Sequence, residues 1–155
     1  MEAWALVAGF GNPLMGDDGV GPKAIELIGR LSLPAGVDTI DAGTSALDLV
    51  PHLEGKRLAV FIDAVQAGGE AGTIYRLTPE DIAHETQQTL SLHSLRLRDA
   101  LLLWELQVTR LPEIVVLGIE PRKVDLDPEL SPEVEAALPQ LYLLVKKELE
   151  SAEQK

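Results

Sequence analysis

The chain has 155 residues, 46% hydrophobic and 25% charged, which fits one globular domain with room for a core. Cysteine is absent, so disulfides and thiolate metal sites are excluded, and a metal would have to be held by His, Asp, Glu or backbone groups. Net charge is −12, from 25 acidic and 13 basic side chains; this argues against a general nucleic-acid binder and is explained by solubility or by a preference for a cation or basic partner.

Residues 1–4 lead straight into a strand, with no basic leader ahead of an apolar stretch. No apolar run approaches the roughly 20 residues of a membrane span. A cytoplasmic protein with no membrane partner is expected. Leu6 to Phe10 reads as a buried strand bounded by glycine. A glycine-rich turn follows and delivers Asp17 and Asp18 to a helix that runs to about Ile28, with Val20, Ala24, Leu27 and Ile28 on one face. Either aspartate can cap that helix, Asp17 being the better candidate, and Pro22 suits its first turn. Val37 to Ala42 is a second strand, and Ala46 to Leu53 a short helix that Ser45 can cap. Arg57 to Ala64 reads as a central parallel strand covered on both faces, because its apolar run is nearly continuous. Residues 68–72 form a turn and Thr73 to Leu77 a further strand in an edge hairpin. Thr78 opens a single helical turn, His84 to Ser91 is polar and irregular, and His93 to Val108 has a helical period through Leu95, Leu97, Ala100, Leu101, Trp104 and Leu106. Glu113 to Ile119 is the last strand, and Pro132 to Leu149 a closing amphipathic helix.

Strands alternating with helices imply an α/β fold: a three-layer αβα sandwich around a mostly parallel, twisted sheet of about five strands. One domain over residues 1–150 is expected, with 151–155 as a frayed tail. Ligands of such sheets bind beyond the carboxyl ends of the strands. That rule selects Asp17 and Asp18, then Asp41 to Ser45, then Asp63, then Glu120. The first turn, Gly9-Phe10-Gly11-Asn12-Pro13-Leu14, lacks the third glycine of a dinucleotide fingerprint and places two carboxylates where a phosphate wants positive potential. It suits a cation, or a water to be activated. His93 stands where an irregular segment becomes a long helix, and the helix N-terminus favours the neutral imidazole that ligates metal. Two carboxylates and an imidazole make an open site for a divalent cation. Plainer roles compete: a first-turn carboxylate for Asp18, a turn cap for Asp63, backbone turn contacts for Asp41, a helix cap or core position for His93, and the surface for His52 and His84.

The ordered set of motifs resembles the hydrogenase maturation endopeptidases. The resemblance runs through Gly9-Phe10-Gly11-Asn12-Pro13-Leu14-Met15-Gly16-Asp17-Asp18-Gly19-Val20-Gly21, Asp41-Ala42-Gly43-Thr44, Phe61-Ile62-Asp63-Ala64-Val65, Ser91-Leu92-His93 and Leu117-Gly118-Ile119-Glu120-Pro121. Ala42 departs from the glycine that many members carry. The resemblance implies a phosphorylase/hydrolase-like fold and an endopeptidase that removes a short C-terminal extension from a [NiFe] hydrogenase large-subunit precursor after nickel insertion. It implies that Asp18, Asp63 and His93 bind nickel, or another divalent cation such as cadmium in crystals, and that this nickel is supplied by the substrate. Cleavage is implied near the substrate's C-terminal Cys-x-x-Cys-x-x-His/Arg motif. Water activation by the metal, or by Asp18 or Asp63 as general base, fits the residues equally. Asp41, Gly43 and Thr44 are expected as further positions that bind the substrate tail or steady the site. A non-catalytic nickel-binding checkpoint protein uses the same three ligands and is the alternative. Peptidyl-tRNA hydrolase shares the Gly-x-Gly-Asn-Pro turn but needs a His–Asn pair after it and a basic face; here the first histidine is His52 and no Asn follows Asn12.

Overall fold

Strand β1 (Ala5–Phe10) is buried along its whole length because it feeds two apolar layers in alternation. Ala5 and Val7 face one layer, Leu6, Ala8 and Phe10 the other, the period-2 geometry of a pleated strand. The computed structural model describes residues 2–84 and 92–155, with side chains for 2–83 and 97–155. Strands β2 (Val37–Gly43) and β3 (Leu58–Ala64) flank β1, β5 (Glu113–Ile119) pairs with β3, all parallel, and β4 (Ile74–Leu77) is antiparallel to β5. The order is β2-β1-β3-β5-β4. The short strand β4 is thus an edge strand, as expected, but it forms no hairpin with β3; it skips over to pair with β5, which follows later in the chain.

Helices α1 (Val20–Gly29) and α5 (Pro132–Glu153) cover one face of the sheet. The other face is covered by α2 (Val50–Leu53), α3 (Pro79–His84) and α4 (Leu92–Gln107). This is the expected three-layer arrangement. A 3-10 helix, Gly16–Gly19, precedes α1, so the α-helix starts two residues after Asp18. Neither aspartate caps it: Gly19 holds the N-cap position, with no side-chain cap. Residues Ala46–Leu49 are likewise 3-10, and Ser45 makes no cap hydrogen bond. By contrast, Thr78 and Asp81 form a reciprocal cap on α3, the Thr78 N–H donating to Asp81 Oδ2 at 2.8 Å and the Asp81 N–H to Thr78 Oγ1 at 3.3 Å. Helix α5 continues past Leu149 to Glu153.

On α4, Leu97, Ala100 and Trp104 are buried, and the Trp104 ring lies 5.5 Å from that of Phe61 on β3. Leu106, expected on the same face, is 83% exposed. It stands two positions from Trp104, and residues two apart do not share a helix face. The Thr109 N–H donates to Glu54 Oε1 at 2.6 Å, so the C-terminal end of α4 lies at the amino edge of the sheet, near the start of β3. Sixteen residues span about 24 Å at helical rise, which carries the N-terminal end of α4 to the carboxyl edge.

Candidate active site

Strand order reverses between β1 and β3: the chain leaves β1 toward β2 on one side, and β3 lies on the other. A crevice opens outside the carboxyl ends at such a switch point. Among the described residues the buried charged side chains are Asp17, Asp18, Asp63 and Glu120, exposed by 1%, 6%, 1% and 5%, and all follow or end strands at this edge.

Glycine brings Asp18 to this place. Gly9 pairs in register with Ile62, so β1 ends beside the start of the Asp63 turn. A Cβ on Gly21 would lie 2.2 Å from the Phe10 carbonyl oxygen and 2.8 Å from that of Ile62; only glycine lets α1 seat against both strand ends. Gly11 has φ +134°, and a Cβ there would lie 1.8 Å from the Asp18 carbonyl oxygen. The Asn12 N–H donates to Asp18 Oδ2 at 2.8 Å, fixing that carboxylate over the turn. The Ala64 N–H donates to Asp63 Oδ1 at 2.9 Å. By strand alternation Asp63 lies on the face of Ala59 and Phe61, the face that α4 covers. Two of the expected ligands, Asp18 and Asp63, therefore stand at the carboxyl ends of adjacent strands. Position 93 lies in the first turn of α4, whose N-terminal end reaches the same edge; the His93 side chain is outside the described residues. Among the described residues no group of three or more His, Asp or Glu side chains is placed to hold a metal.

Asp41, Gly43 and Thr44 border this edge from β2. The Asp41 carboxylate accepts the Gly43 N–H at 2.9 Å, and the Gly43 carbonyl accepts the Gly11 N–H at 2.8 Å. Gly43 has φ +55° beside a register shift in the β1–β2 pairing, so this segment steadies the first turn from the side. Thr44 lines a cleft of about 240 Å³ with Ser45, Ala46, Leu47, Asp99, Ala100 and Leu103. His52 is exposed.

A family model described as hydrogenase maturation protease matches residues 22–148. The chain belongs to the hydrogenase maturation protease family. Its fold is similar to the hydrogenase maturating endopeptidase HybD from E. coli, with TM-score 0.83, 25% identity, and coverage of 98% of this chain and 94% of that one. It is also similar to the [NiFe] hydrogenase maturation protease HybD from Thermococcus kodakarensis, with TM-score 0.79, 30% identity, and coverage of 95% and 98%. The hydrogenase expression/formation protein HoxM of Azotobacter vinelandii is 29% identical over 122 residues, 77% of this chain; the match spans 59% of that longer protein. The matched family segment contains Asp63 and position 93 and starts after Asp18.

In this member of the family the other two buried acids hold loops. Asp17 Oδ1 accepts the Ser131 N–H at 2.7 Å, while Oδ2 accepts from the Arg122 N–H at 2.8 Å, the Lys123 N–H at 3.0 Å and the Ser131 hydroxyl at 2.8 Å. Instead of capping the helix beside it, Asp17 secures the β5–α5 loop. Glu120 Oε1 accepts from the N–H groups of Ala67 and Gly69, each at 2.9 Å, and from the Tyr75 hydroxyl at 2.8 Å, securing the loop that follows Asp63. Burial, and then the hydrogen bond and charge of Glu120, raise the Tyr75 phenol above its ordinary range.

Proposed function

We propose that this chain is an endopeptidase that removes the C-terminal extension of a [NiFe] hydrogenase large-subunit precursor after nickel insertion. The observation that carries the reading is that Asp18 and Asp63, each buried, stand at the carboxyl ends of the neighbouring strands β1 and β3 in a hydrogenase maturation protease fold. Asp18, Asp63 and His93 recognise the nickel that the precursor already holds, so the metal is part of the substrate. Carboxylate and imidazole donors suit a divalent first-row ion. For hydrolysis, a water at the scissile carbonyl must lose a proton; nickel can acidify that water, or Asp18 or Asp63 can take the proton as general base. Asp41, Gly43 and Thr44 flank the path of the substrate tail.

The test is cleavage of a nickel-loaded precursor by Asp18→Asn, Asp63→Asn and His93→Ala. Each variant should stay folded by circular dichroism and leave the precursor at full length. Normal processing by all three would remove the site assignment. Nickel binding without shortening of the precursor by the wild type would make the protein a carrier.

A further inference from the structure

We infer that Asp17 is a positioning residue for the reaction: its carboxylate fixes the Gly16–Gly19 helix against the β5–α5 loop and thereby holds Asp18 in place. This rests on the function proposed above. Asp17 and Asp18 are consecutive in one 3-10 helix. The four donors to Asp17 come from residues 105 to 114 positions away, so its bonds join two distant segments. The same seam is closed by backbone bonds: the Gly16 N–H donates to the Asp127 carbonyl at 2.7 Å, the Asp17 N–H to the Lys123 carbonyl at 2.9 Å, and the Asp127 N–H to the Leu14 carbonyl at 3.0 Å. On the other side of the short helix, Asp18 Oδ2 holds the Asn12 N–H. Asp17 anchors one side of the helix while Asp18 presents the other to the crevice. Supporting groups of this kind set the geometry of metal-facing ligands, and their loss usually costs about 10- to 100-fold in affinity or activity.

Asp17→Asn tests this, because an amide NH2 at Oδ2 would face the Arg122 and Lys123 N–H groups donor to donor. Leu149→Ala is the stability control: Leu149 is fully buried in α5 and sits apart from the seam. Ser131→Ala is a milder second variant that removes one hydroxyl donor and keeps the Asp17 charge. Two quantities are read: kcat and KM on nickel-loaded precursor, and hydrogen exchange of the Asn12 amide by NMR. In Asp17→Asn, kcat should fall about tenfold or more with KM within about twofold, and Asn12 exchange should accelerate by about tenfold. Ser131→Ala should move both in the same direction by less, and Leu149→Ala should move neither beyond its loss of global stability. Equal behaviour of Asp17→Asn and Leu149→Ala would overturn the inference and leave Asp17 a fold-stabilising group. Should Asp17→Asn fail to fold, Ser131→Ala decides: unchanged kcat and Asn12 exchange overturn the inference. A wild type that cleaves no precursor sinks the proposed function, while the Asn12 exchange still decides whether Asp17 holds Asp18.

Discussion

Gly11→Ala and Gly43→Ala make a paired test of how the first turn places Asp18. The two glycines are bonded across β1 and β2, and both have positive φ, +134° and +55°. An added methyl at Gly43 meets nothing within 4 Å, so that variant bears only the backbone cost of an L-residue at positive φ, about 1–2 kcal/mol. At Gly11 the methyl would lie 1.8 Å from the Asp18 carbonyl oxygen and 3.0 Å from its carbonyl carbon. The neighbour is backbone, which cannot swing aside as a side chain can. The turn must open by about 1.5 Å to reach ordinary contact, and such overpacking adds about 1–3 kcal/mol. Gly11→Ala should therefore cost about 2–5 kcal/mol, against a total stability of about 5–15 kcal/mol for a domain of this kind. Urea denaturation followed by tryptophan fluorescence reads both variants, and an unchanged slope confirms that the midpoints compare stability. Gly11→Ala should also lose precursor cleavage because Asp18 moves. If Gly11→Ala costs no more than Gly43→Ala, the close approach of the turn to Asp18 is wrong.

Trp104→Ala should destabilise by about 3–5 kcal/mol in a thermal or urea melt, since its ring is fully buried against Phe61. Trp104→Phe should cost far less than Trp104→Ala, because the indole Nε1 has no hydrogen-bond partner among the described residues. The Tyr75 phenol is raised above 10.0, so the folded protein keeps a proton that the unfolded chain releases; the stability this contributes is complete below pH 10 and is lost as pH rises through the folded value. Spectrophotometric titration in a Tyr142→Phe background, which leaves Tyr75 as the single tyrosine, should show ionisation above 10.0 that Glu120→Gln moves back down. A midpoint at 10.0 with and without Glu120 would contradict the hydrogen-bonded pair.

Placements that depend on local order are legible in the sequence. Asp18 and Asp63 follow apolar strands, and the strand-end rule needs only the position of each strand. Asp41 holds its own turn through a bond two residues away, a contact visible in the Asp-Ala-Gly pattern. Asp17 reads as a helix cap because capping is the local option for an aspartate before a helix. Its actual donors, Arg122, Lys123 and Ser131, lie more than a hundred residues downstream and leave no local pattern. Glu120 was visible as a strand-end residue, but its partners at Ala67, Gly69 and Tyr75 were set by the pairing of β4 with β5. That pairing is itself non-local, which is why β4 read as half of a hairpin. The period of α4 was blurred by leucines on several faces, so Leu106 read as core while the helix buries Leu97, Ala100 and Trp104.

In the function proposed above, nickel in the precursor is the signal for cleavage. This is tested by incubating the protein with a cognate large-subunit precursor in nickel-loaded and nickel-free forms and following intact mass. The loaded precursor should lose its C-terminal extension and the nickel-free one should keep it. Equal cleavage of both forms, or an intact loaded precursor, would contradict it.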